Sequence, residues 1–132
     1  MKEALTKQEW IIMETLWKQH PLFLSQIMEA MERAVDWQKS TFSTYMRKLC
    51  ENGYIGYTTI SGNRAYTPLA DREECIRNES RHVMSKLTDK GAKMLLACMI
   101  EETGLNDKDR LELQDLITKL GSEPKREKPE AE

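Results

Sequence analysis

The chain has 132 residues, 39% hydrophobic and 32% charged, with a formal net charge of −2. That supports one domain, or a small domain with an oligomerisation extension, around a lean core. No apolar run approaches the roughly 18 residues of a membrane span and no signal-peptide pattern opens the chain, so a cytoplasmic protein with no membrane partner is expected.

Thr6-Lys7-Gln8-Glu9 is a capping box, in which the Thr6 hydroxyl accepts from the N3 amide and Glu9 reaches back. Trp10, Met13, Leu16 and Trp17 then recur on one face of a helix running to about Lys18. His20-Pro21 ends it, because the residue before proline is driven out of the helical region. Leu22-Phe23-Leu24 suits a small edge strand. Ser25 is expected to cap a second helix, with Ile27, Met28 and Met31 inward and an end near Ala34.

A third helix is expected from Lys39 or Ser40 to Gly53, with Phe42, Tyr45, Met46, Leu49 and Cys50 as its apolar stripe. Its opposite face carries Ser40, Thr41, Ser43, Thr44, Arg47 and Lys48. Gly53 suits the left-handed position beyond the helix end. Two β-prone runs, Tyr54 to Ile60 and Arg64 to Leu69, flank Ser61-Gly62-Asn63 and read as a hairpin with a three-residue turn. The spacing predicts a chain that is mainly α with a small β-hairpin: a winged helix-turn-helix over residues 1–69.

Residues 70–121 read as a helical dimerisation domain. A charged helix from Ala70 to about Leu87 shows a thin stripe of Cys75, Ile76, Val83 and Leu87. Met94 to Ile100 is apolar throughout, so a helix there is expected to be buried on every side, and a subunit interface is favoured over a ligand pocket. Asn106 opens a last helix with Asp107 and Asp109 in its first turn and Leu113, Leu116, Ile117 and Leu120 inward, stopped by Gly121. Val83, Leu87, Leu95, Leu96, Met99, Ile100 and those four residues form the expected dimer interface. Residues 122–132 have the composition of a disordered tail.

DNA affinity depends on a local basic face rather than a basic total. Over residues 36–67, Lys39, Arg47, Lys48 and Arg64 stand against Asp36 and Glu51. Ser and Thr are mediocre interior helix formers, so several of them on one exposed face are an odd choice for solvation. They are short enough to let a helix backbone approach base edges, with Arg47 and Lys48 one turn on for phosphates. Lys39, Ser40, Thr41, Ser43, Thr44, Arg47 and Lys48, with Asn63 and Arg64 of the hairpin, are therefore the candidate contacts to double-stranded DNA. The same face could serve a protein-interaction module, and a repressor released by a small ligand uses the same parts. No Gly-rich phosphate loop, reactive carboxylate pair or Cys/His couple is present, so neither catalysis nor a cofactor is expected. Cys50, Cys75 and Cys98 have neither disulfide nor zinc spacing and read as small hydrophobes in a reducing compartment.

Leu5-Thr6-x-x-Glu9-Trp10-x-x-Met13-x-x-Leu16-Trp17, Asp36-Trp37 with Thr41-x-x-Thr44, Leu49-x-x-x-Gly53-Tyr54-Ile55 and Arg64-x-Tyr66-x-Pro68-Leu69 together resemble the penicillinase-repressor (BlaI/MecI/CopY-type) family over roughly residues 4–120. The resemblance implies a bacterial winged-helix repressor that dimerises through its C-terminal helices and binds a two-fold-symmetric operator. It assigns operator reading to Ser40, Thr41, Ser43, Thr44 and Lys48. Three departures accompany it. Ser43 stands where methicillin-repressor relatives carry a basic residue. Cys98-Met99 stands at the Asn-Phe bond cut by a regulatory protease in those relatives. The four-cysteine cluster of the copper-responsive branch has no counterpart.

Overall fold

A computed structural model describes residues 2–122, which contain six helices and three strands. They are α1 (Lys7–Lys18), β1 (Leu22–Phe23), α2 (Leu24–Ala30), α3 (Lys39–Glu51), β2 (Ile55–Ile60), β3 (Asn63–Pro68), α4 (Arg72–Met84), α5 (Gly91–Thr103) and α6 (Asp107–Ser122). The sheet is antiparallel in the order β1-β3-β2, with Leu22 opposite Tyr66 and Tyr57 opposite Tyr66 from the other side. Three helices and a hairpin wing form a winged helix-turn-helix. The tail expected over residues 122–132 lies, apart from Ser122, outside the described residues.

The chain divides into two compact units between Lys86 and Leu87. The first unit therefore reaches well past the expected boundary at residues 69 and 70. Its reason is long-range polar pairing that local pattern does not reveal. Trp17 Nε1 donates to the Ala70 carbonyl at 2.9 Å, and Asn78 Nδ2 donates to the Tyr54 hydroxyl and the Lys2 carbonyl, each at 3.1 Å. Ala70, Cys75 and Asn78 are buried, so α4 belongs to the first unit's core.

That core holds Ile12, Met13, Leu16, Ile27, Met31, Phe42, Met46 and Leu49, with Tyr54 just before β2 and Ile55 and Tyr66 from the sheet. Burying each large side chain contributes about 1.5–3 kcal/mol. The inner face of α1 is rotated from the expected stripe: Ile12 is fully buried, whereas Trp10 and Trp17 are half-buried, edge to face with centroids 6.0 Å apart. The Thr6–Glu9 capping box forms as expected, with Thr6 N donating to Glu9 Oε1 at 2.9 Å and Glu9 N to Thr6 Oγ1 at 3.2 Å. Ser25 does not cap α2. The helix starts at Leu24, and Gln26 Oε1 accepts from Phe23 N at 2.8 Å.

Helix α3 ends in a Schellman motif. Gly53 has φ +79°, its N–H donates to Cys50 O at 3.1 Å, and Tyr54 N–H donates to Leu49 O at 3.0 Å. Leu49 and Tyr54, which the motif brings together, are both buried. The hairpin turn is one residue shorter than expected. Ile60 pairs with Asn63, leaving Ser61 (φ +51°) and Gly62 (φ +84°) as a two-residue loop. Positive φ at both positions is the type I′ pattern, which favours Asn-Gly. Ser61→Asn should therefore stabilise the wing, by roughly 0.5 kcal/mol, because Asn enters the left-handed region more readily than Ser. A thermal midpoint unchanged or lowered by Ser61→Asn would contradict this turn geometry.

In the second unit, Asn106 caps α6 by accepting from Asp109 N at 2.8 Å, and Gly104 (φ +58°) ends α5. Helix α6 continues through Gly121 to Ser122 instead of stopping at Gly121. No residue of α5 is buried, and within its seven-residue apolar run only Leu95 is half-buried.

Candidate nucleic-acid interface

Helix α3 is fixed from behind by Phe42, Met46 and Leu49, which turns its small polar face outward. Lys39, Ser40, Ser43, Thr44, Arg47 and Lys48 are exposed and Thr41 is half-buried. Thr44 Oγ1 donates to the Ser40 carbonyl at 3.0 Å, so its donor is used within the helix and its oxygen remains an acceptor. Trp37 stacks on Tyr45, with centroids 4.6 Å apart and planes at 18°, and meets Phe42 edge-on at 5.0 Å. This clamp holds the segment entering α3. Gln38, at the helix cap, makes no side-chain bond to the first turn, leaving the initial N–H groups for an external acceptor such as a phosphate.

The wing brings a second cation, Arg64, near Lys39 at the start of α3. Lys39, Asn63 and Arg64 line one open groove of about 440 Å³, together with Phe23, Ser25 and Met28. The Arg64 guanidinium lies 4.2 Å over the Tyr57 ring, and Tyr57 in turn packs edge-on against Tyr66 at 5.9 Å. Hydrogen bonding to Tyr66, then attraction to Tyr57, holds the Arg64 pKa above the usual guanidinium value. Arg64 faces Thr59 across the hairpin, so Tyr57 is its diagonal neighbour. Sequence reasoning could have found this stack from strand register alone, once the two-residue turn had been recognised.

Lys48 is separated from that groove. Its Nζ lies 4.0 Å from Glu9 Oε1, across to α1. Glu9 is 1% exposed and was not singled out by its sequence position beyond its role in the cap. Burial disfavours the thiolate form of two cysteines of the first unit. Burial pushes the Cys50 pKa up, partly opposed by Arg64, and pushes Cys75 up to about 11. Among the described residues, no group of three or more His, Cys, Asp or Glu is placed to hold a metal.

The expected interface residues of the C-terminal part fall in both units. Val83 lies on α4, half-buried within the first unit; the others belong to the second. Leu87 and Leu95 are half-buried, and Leu96, Met99, Ile100, Leu113, Leu116, Ile117 and Leu120 are exposed. Leu96 is 59% and Ile117 66% exposed. Helices with this much uncovered leucine and isoleucine are unusual for an isolated protomer.

A family model described as penicillinase repressor matches residues 5–119. The chain belongs to the penicillinase repressor family. Membership makes it a DNA-binding, helix-turn-helix transcriptional repressor. The DNA-binding domain of the repressor BlaI shares the fold, with a TM-score of 0.50 and 20% identity over 56% of this chain and 93% of that domain. An uncharacterized 16.5 kDa protein from the ptsI 3′ region of Latilactobacillus sakei is 28% identical over 115 residues, covering 86% of this chain and 78% of that protein. A multiple antibiotic-resistance repressor (MarR) from Listeria monocytogenes aligns with a TM-score of 0.47 and 14% identity, over 89% of this chain and 73% of that one.

Proposed function

We propose that this family member represses transcription in the cytoplasm as a homodimer on a two-fold-symmetric operator, with α3 in the major groove and the wing on the adjacent backbone. The observation that carries the reading is the short, polar, outward face of α3 on a helix anchored through Phe42, Met46 and Leu49. Short hydroxyl side chains permit close approach to base edges, so Ser40, Thr41, Ser43 and Thr44 read sequence. Lys39, Asn63 and Arg64, gathered around one groove, suit phosphate or minor-groove contact with the duplex. The uncovered apolar residues of α5 and α6 are the proposed dimer surface. A symmetric protein then demands half-sites about one helical turn apart, on the order of 34–36 Å.

Footprinting fragments selected from genomic DNA tests this reading. Two protected half-sites related by a dyad are expected; a single unsymmetric footprint would overturn the dimeric arrangement. Arg47 lies on α3 one turn beyond Ser43 and Thr44 and is assigned to phosphate. Arg47→Ala should weaken binding to all sequences alike and reduce the salt slope by about 1 per protomer. An unchanged slope would remove Arg47 from the backbone contacts.

A further inference from the structure

The Glu9 carboxylate reaches the recognition helix from α1 and is not fully explained by its cap. Glu9 Oε1 accepts from Thr6 N at 2.9 Å, but Oε2 is buried without a hydrogen-bond partner among the described residues. A glutamine at this position would close the same capping box without placing a charge in the core. A buried carboxylate instead calls for a cation, and among the described residues Lys48 Nζ lies beside it, at 4.0 Å from Oε1. The Lys48 side chain remains 48% exposed, so it is not locked away. Thr41, Thr44 and Lys48 stand at i, i+3 and i+7 on α3, which places Lys48 at the end of the reading stripe.

We propose that Glu9 is a specificity-determining residue of the DNA interface: by pairing with Lys48 it withholds one cation per protomer from the phosphate backbone. The inference rests on the DNA-binding reading above. Phosphate neutralisation releases counterions regardless of sequence, so an extra cation strengthens sequence-blind binding. Base contacts by the Ser/Thr face gain nothing from it. Glu9 thereby widens the gap between operator and bulk DNA, acting through Lys48 without touching DNA itself.

The test is equilibrium binding of the full chain to a short mixed-sequence duplex over a salt series. Glu9→Gln keeps the cap and frees Lys48, so its salt slope should steepen by about 0.9 per protomer. Its affinity gain over the unaltered protein should then shrink about threefold per protomer between 50 and 200 mM salt. Lys48→Met alone should leave the slope unchanged, and Glu9→Gln/Lys48→Met should return to the original slope. A Glu9→Gln slope equal to the original overturns the proposal. So does a flatter slope for Lys48→Met, which would put Lys48 on phosphate already. Should Glu9→Gln fail to fold, a flatter Lys48→Met slope still overturns the proposal. Failure of the unaltered protein to bind the duplex at 50 mM salt would instead overturn the DNA-binding reading, and this inference with it.

Discussion

Leu96→Glu is expected to convert the protein to a monomer and reduce operator affinity by two to four orders of magnitude. Leu96 sits within the apolar run of α5, 59% exposed in the protomer, with Met99 and Ile100 also uncovered on the same helix. If a second copy covers this surface, a glutamate there must be desolvated without a partner, which costs several kcal/mol per protomer in a surface used twice. Dissociation then separates two half-site contacts that had acted as one binding event. Losing that effective concentration lowers affinity by roughly 10²–10⁴ with no change at the DNA surface. Sedimentation and gel-shift measurements on one preparation check both parts. A Leu96→Glu variant that remains dimeric at micromolar concentration would place the interface elsewhere.

Leu49→Ala should destabilise the first unit by about 2–5 kcal/mol, a large share of the total stability of a small domain. Leu49 is fully buried and belongs to the recognition helix. It packs in the core with Met46 and Ile27 and precedes the Schellman turn that delivers Tyr54 to the sheet. Truncation removes transfer energy and leaves a cavity between elements that cannot collapse fully, because α3 is pinned by Trp37 on one side and by the turn on the other. A fall of about 10 °C or more in thermal midpoint is expected for a unit of this size. Arg47→Ala, at an exposed position, should leave the midpoint nearly unaltered. A Leu49→Ala midpoint within a few degrees of the original would contradict the core assignment.

Much of the first unit was legible because its signals are local. The Thr6–Glu9 box, the period of Phe42, Met46 and Leu49, and Gly53 beyond α3 each act within a few residues. What was missed depends on partners far away in the chain. Helix α4 joins the first unit through Asn78 with Tyr54 and through Ala70 with Trp17, contacts that no periodicity in residues 70–87 announces. Ile12 is in the core because α1 turns inward a face beside the expected stripe, and Glu9 is buried within 4.0 Å of Lys48 on another helix. The turn is shorter than the pattern Ser61-Gly62-Asn63 suggests because Asn63, a common turn residue, occupies the first position of β3. At the candidate interface the residue types were readable, but their division was not: Lys39, Asn63 and Arg64 share a groove, whereas Lys48 faces α1.

The Ser/Thr face of α3 is proposed to read DNA sequence. A gel shift of genomic fragments at low and moderate salt, comparing the unaltered protein with Thr44→Ala, tests it most directly. A few fragments should remain shifted at moderate salt while bulk DNA is released, and Thr44→Ala should lose that selectivity with about 1–3 kcal/mol of operator affinity while retaining low-salt binding. Equal retention of all fragments by the unaltered protein, or full selectivity in Thr44→Ala, would contradict the assignment of α3 as the reading helix.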